Sequence, residues 1–335
     1  MSEKPILEVK NLHKRFTSKG ICVRAVTDVS FTVNEGETVG LVGESGCGKT
    51  TLGRCIVRGI EASEGSVIYR KADGTELDFL KLDKKQMKDV RKEIQMIFQD
   101  PYASLDPRMT VFDIISEPLK ANFKLTKDEL AQKVMDIAKK AGLNTTYLKR
   151  YPHAFSGGQR QRIGIARALV LMPRVIVCDE AVSALDVSIQ AQIINLLKEL
   201  QDDFKLTYLF ISHDLSVVEH ISNKVGVMYL GRMVEYAQTE ELFSNPLHPY
   251  TEALLSAVPV ADPDVKIERI PLQGEIPNPA NPPSGCYFHE RCRYCTKKCE
   301  EESPVFTDMG NGHFVACHRA KELNLKGITK NGVLK

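Results

Sequence analysis

Residues 43–50 read Gly-Glu-Ser-Gly-Cys-Gly-Lys-Thr, a segment whose residue types and spacing suit phosphate binding. Glycines let the backbone turn tightly and bring its amides to phosphate oxygens, while the start of a following helix adds partial positive charge. Lys49 would then reach the β- and γ-phosphates, and the Thr50 hydroxyl would bind a magnesium ion. We therefore predict a nucleotide phosphate-binding loop. A surface glycine turn with a solvated lysine is the weaker alternative.

Three apolar runs read as buried strands, and each ends in polar residues that suit nucleotide chemistry. Because the carboxyl ends of strands in open α/β sheets meet where ligands bind, we expect these residues at one edge of a sheet. Paired carboxylates there suit a magnesium-linked aspartate and a catalytic base. A glutamine there binds magnesium or a water, or else only caps a turn. The residues are Gln99, Asp179, Glu180 and His213.

A serine and two glycines stand ahead of a helical run, Ile163 to Leu171. This arrangement is typical of a second phosphate-binding helix N-terminus, and a plain helix cap explains the same residues equally well. The segment is Ser156, Gly157, Gly158 and Gln159.

The elements that must position these groups follow from periodicity and from glycine and proline signals. Residues 38–42 and 65–69 read as strands on either side of a helix from Thr51, and residues 70–89 as a polar insertion. From Val111 to Leu148 the pattern is helical, with a second run that begins at residue 128 and ends at Gly142.

Residues 6–12 and 29–33 read as strands of an antiparallel patch, with Phe16 in the loop between them. Spacing alone leaves two roles open for this aromatic ring, which either packs in the core or stacks on an adenine.

Bulk properties exclude several classes of protein. The chain has 335 residues, with 45 Lys and Arg against 43 Asp and Glu, so its net charge of +2 gives no argument for a nucleic-acid partner. The first residues lack a basic stretch followed by an apolar one, and no window offers the roughly 20 apolar residues that span a bilayer. We expect the chain to stay in the cytosol.

Five of the nine cysteines fall within residues 286–317, a region with little apolar content. A chain without a secretion signal favours metal binding or reduced thiols over disulfides. Four-cysteine zinc and a cubane iron-sulfur cluster are both compatible with the residue types, and the spacing does not decide between them.

Taken in order, these motifs resemble the nucleotide-binding subunit of an ATP-binding cassette (ABC) transporter over residues 5–260. Gly43–Thr50 is similar to the Walker A motif, and residues 175–179 to the Walker B. Gln99 is similar to the Q-loop, and residues 183–186 to the D-loop. Residues 156–159 are similar to the SGGQ signature, although Phe155 stands where leucine is usual.

The resemblance implies ATP and Mg²⁺ as ligands and a role for each matching residue. Glu180 is implied to be the catalytic base, supported by His213 and Gln99, and Mg²⁺ to be held by Thr50, Gln99 and Asp179. Phe16 becomes the adenine-stacking aromatic. The other residues implied to contact nucleotide are Gly43, Glu44, Ser45, Gly46, Cys47, Gly48, Lys49, Thr51, Ser156, Gly157, Gly158, Gln159 and Asp186.

Such domains resemble head-to-tail dimers, and the chain carries one set of motifs, so a second ATPase subunit is expected to be another copy or a paralogue. Residues 245–251 and 285–292, with the run after Gln99, are similar to the oligopeptide, dipeptide and nickel importer branch. That branch implies two transmembrane permease subunits, indirectly an extracytoplasmic solute-binding protein, and a place on the cytoplasmic face of the membrane. A 4Fe-4S cluster on Cys286, Cys292, Cys299 and Cys317 is implied too, with zinc as the alternative and Cys295 as an extra thiol.

The predicted fold is therefore an α/β P-loop NTPase of the ABC type, with a mixed core sheet, an antiparallel β patch and a helical subdomain at about 102–172. The ATPase domain is expected to cover residues 1–260. A proline-rich linker at 270–284 and a cysteine-rich extension would follow within 261–335. Two rivals remain: a soluble ABC ATPase that acts on DNA or ribosomes, and a relative from phosphonate metabolism.

Overall fold

The computed structural model describes residues 5–100, 102–259 and 269–328. The predicted domain boundary at residue 260 lies outside the described residues. The strands are β1 (Leu7–Ser18), β2 (Ile21–Val33), β3 (Thr38–Val42), β4 (Glu64–Arg70), β5 (Glu76–Asp78), β6 (Ile94–Ile97), β7 (Val175–Asp179), β8 (Thr207–Ile211), β9 (Lys224–Tyr229), β10 (Arg232–Gln238), β11 (Thr307–Asp308) and β12 (Phe314–Val315).

The helices include both long amphipathic segments and single turns. Short 3-10 helices lie at Thr145–Tyr147, Pro152–Ala154 and His289–Arg291. The α-helices are α1 (Lys49–Ile56), α2 (Lys84–Glu93), α3 (Val111–Asn122), α4 (Lys127–Lys140), α5 (Gly157–Leu169), α6 (Val187–Phe204), α7 (Leu215–Ile221), α8 (Thr239–Ser244), α9 (Pro249–Ser256) and α10 (Lys297–Glu301).

The chain folds as two compact units, and the first contains residues 1–33, 38–80 and 212–335. In this unit an antiparallel sheet has the strand order β2-β1-β4-β5, which confirms the predicted antiparallel patch. A second set of strands has the order β11-β12-β10-β9-β3, in which β3 and β9 run parallel and the other pairs antiparallel.

The second unit contains residues 34–37 and 81–211. Its strands β6, β7 and β8 are parallel neighbours, with β7 in the middle and all five of its residues buried. The helices α2 to α6 belong to this unit. Thr126 caps α4, which begins at Lys127, one residue before the predicted start at residue 128. Gly142 follows the end of α4 at a φ of 72°, as predicted.

Two predicted boundaries are wrong. Phe16 does not lie in a loop, because β1 and β2 continue as a hairpin in which Phe16 pairs with Val23. The hairpin closes at Lys19 and Gly20, whose φ values of 48° and 81° suit the two-residue turns that match strand twist. The helix predicted from residue 163 begins at Gly157 instead.

The C-terminal segment joins the first unit through backbone pairing and one buried carboxylate. Strand β12 pairs with β10, where Glu235 is fully buried. The carboxylate of Glu235 accepts hydrogen bonds from the amides of Leu247 at 2.6 Å and His248 at 3.0 Å. His313 Nε2 lies 2.7 Å from the same carboxylate. One side chain therefore ties the start of α9 and the loop before β12 to strand β10.

Replacement of Glu235 with leucine should destabilise the protein by roughly 2–4 kcal/mol, because it leaves the buried amide of His248 and the part-buried amide of Leu247 without this acceptor. Glu235→Gln keeps one acceptor oxygen and should cost less. Thermal unfolding of the purified chain measures both changes. Glu301→Gln, which alters an exposed carboxylate on α10, is the matched control. Equal melting temperatures for Glu235→Leu and the control would contradict the role given to this carboxylate.

Candidate functional site

The predicted phosphate-binding loop lies between β3 and α1, as expected. Two of its glycines are required by close backbone contacts. A Cβ at Gly43, where φ is 147°, would lie 2.2 Å from the carbonyl oxygen of Met228. A Cβ at Gly48, where φ is 104°, would lie 2.1 Å from the carbonyl oxygen of Ala25. The loop therefore packs against its neighbours with its backbone, and no larger residue fits at these two positions.

Lys49 is only 4% exposed, and its ammonium lies inside the curve of the loop. Nζ donates to the carbonyl oxygens of Gly43 at 2.6 Å and Glu44 at 3.1 Å. These bonds hold the cation at the centre of the loop, where it would meet a phosphate. Thr50 and Thr51 follow in the first turn of α1. The arrangement is a preformed cradle for an anion.

Two residues far along the chain bind Glu44, one at its backbone amide and the other at its carboxylate. Its amide donates to the Tyr250 hydroxyl at 2.8 Å. Its carboxylate accepts two hydrogen bonds from Arg291, at 2.7 Å and 3.0 Å. Burial raises the pKa of the Tyr250 hydroxyl, which keeps it protonated. Sequence reasoning missed both partners, and no local signal could have found them, because Arg291 is 247 positions from Glu44.

Two further predicted residues of the first unit have accessible side chains. His213 lies two residues beyond the end of β8 and is exposed. Phe16 is 42% exposed on β1, and the Lys14 ammonium lies 4.7 Å from its ring centroid. The exposure argues against core packing for Phe16.

In the second unit, the structure brings Gln99 and Glu180 together. Gln99 lies two residues beyond β6, and its Nε2 donates to Glu180 Oε2 at 2.7 Å. Glu180 has a φ of 44°, an unusual backbone conformation that recurs at functional sites. Its amide donates to the carbonyl oxygen of Ile211 at 2.9 Å. Asp179 precedes it as the fully buried last residue of β7.

The predicted signature residues also lie in the second unit, and they form a helix cap. The Ser156 hydroxyl accepts from the Gln159 amide at 3.4 Å, and Gln159 Oε1 accepts from the Ser156 amide at 3.0 Å. Both side chains are exposed, whereas Gly158 is buried and a Cβ there would lie 2.5 Å from Ile189 Cγ2. The cap alternative is thus present, and it leaves the start of α5 accessible to an anion.

Asp186, in the predicted D-loop, caps α6 through the amide of Ile189 at 3.0 Å. That backbone hydrogen bond lowers the pKa of its carboxyl group. The carboxylate form therefore predominates at neutral pH.

Four of the five C-terminal cysteines line one cavity in the first unit: Cys286, Cys292, Cys299 and Cys317. Burial raises the pKa of Cys286 to about 11 and that of Cys292 to about 12, and it raises the pKa of Cys317. Cys295 does not line the cavity. No disulfide bond joins any of the nine cysteines, all of which lie in the described part of the chain. Among the described residues, no group of three or more His, Cys, Asp or Glu side chains is arranged to hold a single metal ion.

Two family models match the chain. The one described as ABC transporter matches residues 26–183. The one described as oligopeptide/dipeptide transporter, C-terminal region, matches residues 234–299.

Curated relatives are similar along almost the whole chain. The oligopeptide transport ATP-binding protein AppF of Bacillus subtilis is 53% identical over 326 residues, which cover 95% of this chain and 98% of AppF. The dipeptide transport ATP-binding protein DppF of Haemophilus influenzae is 49% identical over 319 residues, which cover 93% of this chain and 96% of DppF.

A solved structure shares the fold as well. The dimeric ATP-binding cassette MJ0796 bound to ADP and Pi superposes with a TM-score of 0.63 at 26% identity, over 70% of this chain and 98% of that one. This likeness confirms the predicted ABC ATPase fold class. With relatives about half identical over nearly its full length, the chain belongs to the ABC transporter family and is an ATPase of that family.

Proposed function

We propose that this chain powers the import of peptides through an ABC transporter. The observation that carries the proposal is the match of residues 234–299 to the family model described as oligopeptide/dipeptide transporter, C-terminal region. The names of the relatives support the same substrate class. Neither rival, an ATPase acting on nucleic acid or ribosomes or a phosphonate-related protein, has a comparable observation in its favour.

We further propose that the chain works as a head-to-tail dimer with a paralogous ATPase subunit. The dimer would bind two transmembrane permease subunits on the cytoplasmic face of the membrane and act indirectly on an extracytoplasmic solute-binding protein. Among the described residues, no helix is both long and apolar enough to cross a bilayer. Membrane-spanning segments would then come from the permease subunits.

The first unit supplies the groups that hold ATP. Lys49 and the loop amides other than those of Glu44 and Cys47, which already donate within the chain, bind the phosphates, because the cation and the loop are already fixed. Phe16 stacks on the adenine with its exposed ring. His213 contacts the γ-phosphate.

The chemistry is hydrolysis of the β-γ bond by water. Glu180 accepts the proton of the attacking water. Thr50, Gln99 and Asp179 offer the hydroxyl, amide and carboxylate oxygens that Mg²⁺ prefers, and the ion would neutralise charge on the phosphates. Ser156, Gly157, Gly158 and Gln159 bind the γ-phosphate of the ATP held by the other subunit, and Asp186 lies at the interface between subunits.

We also propose that Cys286, Cys292, Cys299 and Cys317 bind a 4Fe-4S cluster. Four thiols of the appropriate type line one cavity, and each thiolate of a cubane cluster binds a different iron, so their sulfurs need not converge on one point. A single zinc ion requires such convergence, which makes it the weaker alternative. The free space is about 20 Å³, enough for one water, so the side chains must rotate outward around a cluster.

Glu180→Gln should retain ATP affinity and lose roughly 100- to 10,000-fold in turnover, because an amide cannot accept the proton of water. The assay compares steady-state hydrolysis with ATP binding in the purified assembly, with the equivalent residue of the partner subunit changed as well.

ATP should also trap the Glu180→Gln dimer, which size-exclusion chromatography detects. Ser156→Arg in the same background is the matched control, since the larger side chain should prevent dimer closure while the phosphate-binding loop of the same chain still binds ATP. Wild-type turnover in Glu180→Gln would exclude Glu180 as the base. Dimerisation that persists with Ser156→Arg would exclude the head-to-tail arrangement.

Peptide import is tested by purifying the chain with its membrane partners and reconstituting them in vesicles. Peptide-loaded binding protein should stimulate hydrolysis severalfold and drive uptake of a labelled peptide, and Glu180→Gln should abolish both. An assembly that contains nucleic acid or ribosomes and no permease subunits would refute the proposal.

Protein purified without oxygen should be brown and carry about four irons and four sulfides per chain. Serine at Cys286, Cys292, Cys299 or Cys317 should remove them, because a hydroxyl is a poor substitute for a thiolate. Cys295→Ser is the matched control and should keep the full content. Elemental analysis and absorption spectra measure both. Stoichiometric zinc without iron would establish zinc at this site and exclude the cluster.

A further inference from the structure

A bidentate ion pair joins the phosphate-binding loop to the C-terminal cysteine segment, residues 286–317. Both guanidinium NH₂ groups of Arg291 donate to the Glu44 carboxylate, at 2.7 Å and 3.0 Å. The Arg291 side chain is only 5% exposed and that of Glu44 is 25% exposed. A bidentate pair of this kind forms two charge-assisted hydrogen bonds and fixes the relative orientation of its partners. Cys292, one of the four cavity cysteines, is the next residue after Arg291.

Arg291 is itself held in one position. Its Nε donates to the Gln273 carbonyl oxygen at 3.3 Å, and one NH₂ group lies 3.4 Å from the Tyr229 hydroxyl. The Tyr229 ring packs edge-on against Tyr250, whose hydroxyl accepts from the Glu44 amide. The guanidinium is therefore part of a packed network that ends on Glu44, and its position does not depend on Glu44 alone.

Glu44 also contacts the Lys49 ammonium, so the contacts that fix Glu44 help to fix Lys49. Its carbonyl oxygen accepts a hydrogen bond from Lys49 Nζ at 3.1 Å and another from the Cys47 amide at 3.3 Å. A change in the position of Glu44 therefore changes the curve of the loop and the position of the ammonium.

The negative charge of Glu44 is a second reason why Arg291 should affect ATP binding. Glu44 places a carboxylate within a loop whose ligand is a polyanion, and an unbalanced negative charge there would oppose ATP binding. Arg291 balances that charge at hydrogen-bonding distance. The loop therefore contains an acidic residue that favours the ligand only while its distant partner is in place.

We propose that Arg291 is a positioning residue for the nucleotide-binding loop, through which the C-terminal cysteine segment sets the affinity of the chain for ATP. The proposal depends on the ATPase family of the chain and on neither peptide import nor cluster binding. Because coupling between two sites is reciprocal, nucleotide binding must also stabilise residues around Arg291.

The first test measures ATP affinity of the full-length chain by titration with a fluorescent ATP analogue. Arg291→Gln should weaken binding about fivefold or more, with little change in turnover at saturating ATP once the chain is assembled with its partners. Arg291→Lys keeps the positive charge but cannot form the two parallel hydrogen bonds to the Glu44 carboxylate. It should therefore keep part of the ATP affinity that Arg291→Gln loses. Glu44→Gln combined with Arg291→Gln should bind more tightly than Arg291→Gln alone, since the unbalanced charge is gone.

The matched control is Arg293→Gln. Arg293 lies two positions away in the same segment and pairs with Glu252 at 3.0 Å, and its change removes a similar ion pair that does not touch the loop. The Tyr294 hydroxyl and the Lys326 amide still donate to Glu252, so the control chain should fold and bind ATP normally. Equal weakening by Arg291→Gln and Arg293→Gln, or unchanged affinity in Arg291→Gln, would overturn the proposal.

A second measurement detects the coupling without any assay of activity. ADP should slow amide hydrogen exchange in residues 286–299 of the wild-type chain, and Arg291→Gln should remove that protection while the loop stays folded. If Arg291→Gln does not fold, Arg291→Lys takes its place in both measurements and should show the intermediate effect. Protection that is identical in wild type and variant would contradict the coupling, and it would leave the proposal of peptide import intact.

Discussion

A loop that binds phosphate has to keep one shape while its backbone amides remain available to the ligand. Helices and strands obtain rigidity by pairing nearly all of their amides, which this loop cannot do, although the amides of Glu44 and Cys47 donate to groups of the chain. Its shape is instead fixed by carbonyl groups and by close packing. Lys49 bonds to two loop carbonyl oxygens, and Gly43 and Gly48 lie against the backbone of neighbouring segments with no room for a Cβ. The rest of the first unit has to supply the surfaces against which this loop packs.

The C-terminal segment supplies part of the surface against which the loop packs. Strand β12 pairs with β10, and Glu235 binds residues at the start of α9. Helix α9 in turn presents Tyr250 to the Glu44 amide, and Arg291 reaches the Glu44 carboxylate. A continuous set of contacts therefore connects the sheet to the phosphate-binding loop: the pairing of β12 with β10, the hydrogen bonds of Glu235, and the ion pair of Arg291 with Glu44. A cysteine-rich extension with this many contacts is part of the support of the nucleotide site.

The sequence predicts the local part of this architecture well. The phosphate-binding loop, the buried strand β7 with its carboxylates and the end of α4 at Gly142 all follow from short-range patterns, because turn geometry and burial are decided by neighbouring residues. The boundaries at Phe16 and at α5 were wrong for a related reason: Lys19 and Gly20 close a tight hairpin, and Ser156 with Gln159 forms a capping box, two signals that are easily outweighed by apolar periodicity. Contacts such as Glu44 with Arg291 could not be predicted, since nothing near either residue specifies its partner.

The second unit holds the proposed catalytic carboxylate in place through its backbone and through one side-chain contact. Glu180 has a left-handed backbone conformation, and its carboxylate already accepts a hydrogen bond from Gln99 at 2.7 Å. An amide that donates through its nitrogen can at the same time offer its carbonyl oxygen to a cation, because the donor and the acceptor are separate atoms. One hydrogen bond thus joins the residue that we propose as a Mg²⁺ ligand to the residue that we propose as the base, and the backbone of β7 and the end of β6 fix the distance between them.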